Sequence, residues 1–315
     1  MDSTKSKGAL QCGIAGQVPG FSLPDSQGVM RGLDADTCRA IAAADFGTAE
    51  KVKFVPTTGT SRFAALQSGE IDILSRNTTF TFVRDATIGL RMVMVNFYDG
   101  QGFLVRKDAK IGSLKELAGG TVCLLQGSTH ELNLADWMKQ HKIEFKVVLL
   151  DTTDVLIKTM LSGRCDAASS DSSNLASIRG AGVPNPDEFV ILPERISKEP
   201  LGPMVRAGDA QWENIVRWSM MVMIEAEENG VDSTNVDKML ADSTNPVVQR
   251  LLGKTGDFGK LMGLDNAWAV NIVKQVGNYA ESYERNVGMG SPLKLPRGLN
   301  ALWSQGGLMY PVPFR

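Results

Sequence analysis

Two segments lying 94 residues apart, from Asp72 to Asp166, carry the same plan. Leu66-Gln67-Ser68-Gly69-Glu70-Ile71-Asp72 aligns without gaps on Met160-Leu161-Ser162-Gly163-Arg164-Cys165-Asp166, and Thr58 falls on Thr152. In each copy an apolar strand (Lys51 to Pro56; Phe145 to Leu150) leads into a helix, the helix stops at Gly, and a strand containing Asp follows. A duplicated strand–helix–strand constrains the chain to two similar α/β units, and 315 residues give each unit room for its own core.

Both copies end in polar loops. Ser75 falls on Ser169, Asn77 on Asp171 and Thr79 on Ser173. The first loop, SRNTTFTFVRD, offers an amide (Asn77), hydroxyls (Thr78, Thr79, Thr81) and two guanidinium groups (Arg76, Arg84). At the carboxyl end of a buried strand such groups suit a small carboxylate, since a guanidinium grips it with two parallel hydrogen bonds. The plainer reading is a solvated turn with Arg84 in a surface ion pair to Asp85. Because the second loop presents a carboxylate (Asp171) where the first presents Arg84, the pair fits a zwitterion held between two units.

The balance of 33 basic against 35 acidic residues gives −2, with no basic block for nucleic acid and no polybasic stripe for a membrane surface. No apolar run reaches the roughly 18 residues needed to span a bilayer. The polar start MDSTKSKGALQCG is not a secretory signal, so export would require that one has been removed. The four cysteines (Cys12, Cys38, Cys123, Cys165) lack the short spacing of a zinc or redox motif, and no metal or cofactor is called for. Cys12 and Cys38 lie in the first unit and Cys123 and Cys165 in the second, so disulfides within each unit are expected, with four buried free thiols as the alternative.

Leu10 to Ile14 reads as the first strand, and Gly32 to Asp36 opens a helix through Ala43. Phe21, in the loop between them, is a candidate lid on a ligand or a plug beneath the loop. Gly102 to Arg106 is a candidate first crossing between the units, and Ser197 to Pro203 the return crossing. Leu114 to Leu117 reads as a short helix. Thr121 to Leu125 leads into Gln126-Gly127-Ser128-Thr129-His130 and a helix, which makes either an anion site at a helix start or an ordinary Ser/Thr cap. His130 would then face the ligand's side chain or turn to solvent beside Glu131. Helices are expected over Gln211 to Asn229, Val236 to Leu240, Pro246 to Leu252 and Asp265 to Asn286, with a tail, Ser291 to Arg315, packed back on the first unit. No GxSxG, HExxH or phosphate-loop pattern accompanies the two histidines, His130 and His141, which argues against a hydrolase.

The runs SRFAALQSGEIDILSRNTT, YDGQGF, STHELNLADW, GRCDAASSD, ISKEPLGP, GDFGKLMGLDNAW, VGNYAESYERNVG and RGLNALWSQGG together cover nearly the whole length. Through them the chain resembles periplasmic solute-binding proteins of the polar amino acid family, and among these the general L-amino acid binding proteins of ABC transporters. The resemblance implies an α/β, two-lobed periplasmic binding protein fold of type II with a helical C-terminal extension, lobe 1 from residues 1–103 and 205–315 and lobe 2 from 104–204. It implies a periplasmic monomer that binds a free L-amino acid, delivers it to a membrane permease, contacts no nucleic acid and is not an enzyme. Arg84, helped by Thr79 and Thr129, would hold the α-carboxylate, while Asp171 with the Asn77 region would hold the α-ammonium; Ser128, His130 and Phe21 complete the candidate ligand set. Where lysine- and arginine-specific relatives place an acid and aromatics, this chain has Ala15, Val18 and Gly59, which weighs against a cationic side chain. Two alternatives share the fold: a prephenate or arogenate dehydratase, which would need a buried general acid beside Arg84, and a ligand-sensing ectodomain, which would normally have transmembrane flanks.

Overall fold

A computed structural model describes residues 2–315. The repeat reappears in it as matched elements. Val52–Pro56 and Lys146–Leu150 are both edge strands, 94 residues apart at either end, and Ile73–Leu74 matches the first two residues of Ala167–Asp171 at the same interval. The turns agree to the hydrogen bond: Thr58 Oγ1 accepts from the N–H of Ser61 at 3.1 Å, and Thr152 Oγ1 from that of Val155 at 3.3 Å. Gly69 and Gly163, which end the two helical segments, both have positive φ (81° and 72°), the conformation that favours glycine there.

Each copy sits in its own five-stranded sheet. The first runs Val52–Pro56, Leu10–Ile14, Ile73–Leu74, Met204–Arg206, Leu90–Met92; the second runs Lys146–Leu150, Thr121–Leu125, Ala167–Asp171, Gln101–Arg106, Phe189–Ile191. In both, the first three strands are parallel and the fourth enters antiparallel. Parallel strands covered on both faces need apolar residues throughout, which is why the buried stretches Val122–Leu124 and Ile73–Leu74 do not alternate. The polar ends of the third strands, Ser75 and Asp171, therefore emerge at the carboxyl edges, where loops can build a site.

The crossing differs from expectation. Gly102–Arg106 lies inside the second sheet as part of Gln101–Arg106, paired on both sides and almost wholly buried, so the chain has entered that sheet before residue 103. The two crossings are Phe97–Asp99 and Glu199–Leu201, which form a two-stranded antiparallel ribbon with Glu199 opposite Asp99. Its outer edge is held by the tail: Tyr98 donates its N–H to Asn300 Oδ1 at 2.6 Å, and Asn300 Nδ2 donates to the Tyr98 carbonyl at 3.1 Å. Leu114 to Leu117 forms turns instead of a helix, for a segment so short gains too few hydrogen bonds to offset nucleation; both leucines plug the second lobe's core.

The disulfides join Cys12 to Cys38 and Cys123 to Cys165, as expected. The first ties the strand Leu10–Ile14 to the helix Leu33–Phe46 within the main core, which also takes in Trp212, Trp268 and Tyr279. The expected helix Asp265 to Asn286 is two, Trp268–Val276 and Tyr279–Asn286. Gly277 breaks it at φ 91°, and Asn278 opens the second helix with a capping box: its side chain accepts from the Glu281 N–H at 2.9 Å while Glu281 Oε2 accepts from the Asn278 N–H at 2.7 Å. Phe314 folds back onto Trp218 and Trp268. Among the described residues no helix is long and apolar enough to cross a membrane.

Candidate ligand-binding cleft

Between the sheets lies a cleft lined from the first lobe by Ala15, Val18, Gly59, Arg62, Arg76, Asn77, Thr79 and Arg84, and from the second by Ser128, Thr129, His130, Thr153, Ser170, Asp171 and Asn174 among others. Seven of the eight candidate residues thus meet there. Phe21 does not. It is 1 % exposed and packs edge-on against Phe97, ring centres 5.5 Å apart, as the plug under its loop; an aromatic ring gains more from that dry core than from a polar cleft.

Arg84 reaches the cleft from the helix Phe82–Thr87. Its Nη1 donates to the Thr79 carbonyl at 2.9 Å and its guanidinium lies over Phe63 at 5.1 Å, so the planar group is fixed before any ligand arrives. Arg76 donates Nε–H to the Thr57 carbonyl at 3.1 Å. Arg62, which the sequence reading did not single out, also lies over Phe63, at 4.7 Å from its ring centre. Burial pushes the pKa of all three arginines down, that of Arg76 to about 10, and for Arg62 the charges of Arg76 and Arg84 add to the effect. A chain that concentrates three guanidiniums out of water has made a place for anions. One signal for Arg62 was present: it opens the helix Arg62–Ser68, an end where the helix dipole disfavours a cation.

Asn77 holds φ 38°, a left-handed turn that asparagine tolerates, and neither end of its buried amide has a partner. Behind it Ser75 donates to the Asp34 carboxylate at 3.3 Å, whose pKa burial lifts to about 7. In the second lobe Asp171 closes its strand 5 % exposed, with His130 Nε2 at 3.1 Å from Oδ1. His130 is buried and turned to the cleft, not to solvent. Burial works against its imidazolium, but the Asp171 charge and hydrogen bond, with Glu199 and Asp99 further off, outweigh it and raise its pKa. Asp99, beneath, is lifted to about 7 by burial and then by Asp171.

The helix start at Thr129 is not an ordinary cap. Thr129 makes no capping bond; the Gly127 N–H is met by Glu131 at 2.6 Å, and Ser128 Oγ donates to the Leu125 carbonyl at 2.6 Å. Thr129 and Thr79 instead donate to Glu199, at 2.9 and 2.5 Å. Glu199 lies on the return crossing, and nothing in the run Ser197 to Pro203 marked it as buried.

The lobes stand closed. Arg62 Nη2 donates across the cleft to the Gly127 carbonyl at 3.2 Å, and Gly59 packs so near the second lobe that an added Cβ would lie 2.4 Å from the Gln126 carbonyl oxygen. No aromatic side chain fits at Gly59, which agrees with the argument against a cationic ligand.

Residues 10–230 match the family described as bacterial extracellular solute-binding proteins, family 3. The chain is 49% identical over 317 residues to the general L-amino acid-binding periplasmic protein AapJ of Rhizobium johnstonii, covering all of this chain and 92% of that one. It is 48% identical over 315 residues to the glutamate/glutamine/aspartate/asparagine-binding protein BztA of Rhodobacter capsulatus, covering all of this chain and 93% of that one. A solved ABC transporter periplasmic binding protein from Brucella ovis with glutathione bound superposes with a TM-score of 0.97 at 47% identity, over 100% of this chain and 98% of that one.

Proposed function

Starting from the fact that this chain belongs to the bacterial extracellular solute-binding proteins of family 3, we propose that it captures a free L-amino acid with an acidic or amide side chain and presents it to an ABC transporter permease. Its family and these relatives are binding proteins for transport, and the chain is not an enzyme. It works as a monomer outside the cytoplasmic membrane, its lobes turning about the ribbon of Phe97–Asp99 and Glu199–Leu201.

The observation that carries this reading is one cleft with Arg84 on the first lobe and Asp171 on the second, one charge for each end of an amino acid. Arg84 takes the α-carboxylate and Asp171 the α-ammonium. Arg62 and Arg76 leave a surplus of positive charge, which a second carboxylate offsets, and N–H donors, from which a side-chain amide oxygen accepts. Thermal shift against the twenty amino acids tests it: ligand at 100 times its Kd adds about 2.7 kcal/mol of stability, and glutamate, aspartate and their amides should lead. Arg84→Ala should cost ~2–5 kcal/mol of binding. Absence of a shift with all twenty would end the proposal.

A second ligand class is favoured by one feature. The cleft shares Ala15, Arg76 and Thr153 with an adjoining polar recess lined by Gln17, Thr57, Thr58, Asp151 and Thr152. A glutamate extended through its γ-carboxyl, as in the glutathione of the Brucella ovis protein, could lay its extension there. Gln17→Trp should then reduce binding of γ-glutamylglycine and leave that of glutamate unchanged.

A further inference from the structure

The Glu199 carboxylate is 1 % exposed and does not line the cleft, yet four donors converge on it. Oε2 accepts from Thr79 Oγ1 at 2.5 Å and Thr129 Oγ1 at 2.9 Å; Oε1 accepts from Asn133 Nδ2 and Ser197 Oγ, both at 2.6 Å. Thr79 comes from the first lobe, Thr129 and Asn133 from one face of a second-lobe helix, and Glu199 itself from the crossing between them. Backbone bonds hold Thr79 in place, since the Gly202 N–H donates to the Thr78 carbonyl at 3.0 Å and the Phe80 N–H to the Pro200 carbonyl at 2.8 Å.

A hydroxyl has one proton and two lone pairs, and an ionised carboxylate only accepts. With its proton committed to Glu199, each threonine can offer the cleft only lone pairs. Thr79 and Thr129 both line the cleft, 3.4 Å apart oxygen to oxygen. Two acceptors suit an ammonium better than the carboxylate that the resemblance assigns to these threonines. His130, Asp171 and Glu199 also place potential metal-binding atoms within 4.8 Å of one another, but a cation there would displace the Glu199 donors and face three arginines.

We propose that Glu199 is a positioning residue that sets the polarity of the site: by drawing the hydroxyl protons of Thr79 and Thr129 away from the cleft, it makes both oxygens acceptors for the ligand's α-ammonium, alongside Asp171. The inference rests on the amino acid reading above. In Glu199→Gln the amide turns N–H groups toward the threonines, their protons swing to the cleft, and the ammonium meets donors.

The experiment is calorimetry of glutamate and of glutarate, which lacks only the amino group, on wild type, Glu199→Gln and Thr129→Val. The expected result is a fall of at least tenfold in the preference for glutamate over glutarate in Glu199→Gln, with glutarate binding changed less than threefold. Thr129→Val, which leaves the carboxylate and its other donors in place, should lower the preference in the same direction and decides the matter alone if Glu199→Gln does not fold. A purely structural latch would weaken both ligands equally, and equal weakening overturns the proposal, as does an unchanged preference in both variants. Wild type that binds no amino acid overturns the function itself and this inference with it.

Discussion

His130 Nε2 and Asp171 Oδ1 lie 3.1 Å apart inside the second lobe, so the carboxylate offered to a ligand's ammonium already has a partner. The folded pKa of His130 is raised, and the stability this pair contributes is fully present below the unfolded value near 6.5 and is lost as pH rises through the folded one. His130→Gln should therefore be more destabilising at pH 6 than at pH 9, as read from denaturant midpoints. In binding, the imidazolium repels an arriving ammonium and attracts an acidic side chain. The preference for glutamate over glutamine should grow from pH 8 to pH 6 in wild type and stay flat in His130→Gln.

Arg62 should show opposite effects on stability and affinity. It is buried beside two other guanidiniums, so Arg62→Met, of similar reach and without charge, should leave the unliganded protein as stable or up to about 1–3 kcal/mol more stable. The same change should lower glutamate affinity by tenfold or more. Chemical denaturation without ligand and calorimetry with it read the two quantities separately.

Asp34 supports the binding loop at the cost of a buried carboxyl whose pKa is raised to about 7. Its contribution to stability is greatest below about pH 4 and is lost as pH climbs to 7. Asp34→Asn keeps an acceptor for Ser75 and removes the titration. Its stability relative to wild type should rise between pH 4 and 7 and exceed it by at least about 1 kcal/mol at pH 8.

Gly59→Ala places a methyl 2.4 Å from the Gln126 carbonyl in the closed form. The lobes can avoid it by staying apart, so the melting temperature without ligand should hardly move. Glutamate affinity should drop at least tenfold, about 1.4 kcal/mol, and small-angle scattering should show no contraction on ligand addition.

Much of this was legible because the repeat fixes both register and turn chemistry: once Asp72 aligns on Asp166, the strands and Thr58 with Thr152 follow. The hidden parts depended on contacts distant in sequence. Glu199 meets Thr79 120 residues away, and no local pattern predicts that. The apolar run in Gln101–Arg106 is that of a central strand, whereas the crossings themselves carry Asp99 and Glu199, acids that no local pattern marks as buried. The break at Gly277 could have been seen from Gly-Asn-x-x-Glu, a stop followed by a capping box. Phe21 was open until its neighbours were known.

Asn300 gives both ends of its side-chain amide to one residue, the N–H and carbonyl of Tyr98. A side chain thereby stands where a third strand would pair, and the hinge ribbon presents no free backbone edge at that position. Unpaired N–H and carbonyl groups along a strand edge are a template on which a neighbouring chain can add itself. The C-terminal extension thus also caps the ribbon at Tyr98, and a chain cut before Asn300 should leave that N–H and carbonyl without this partner.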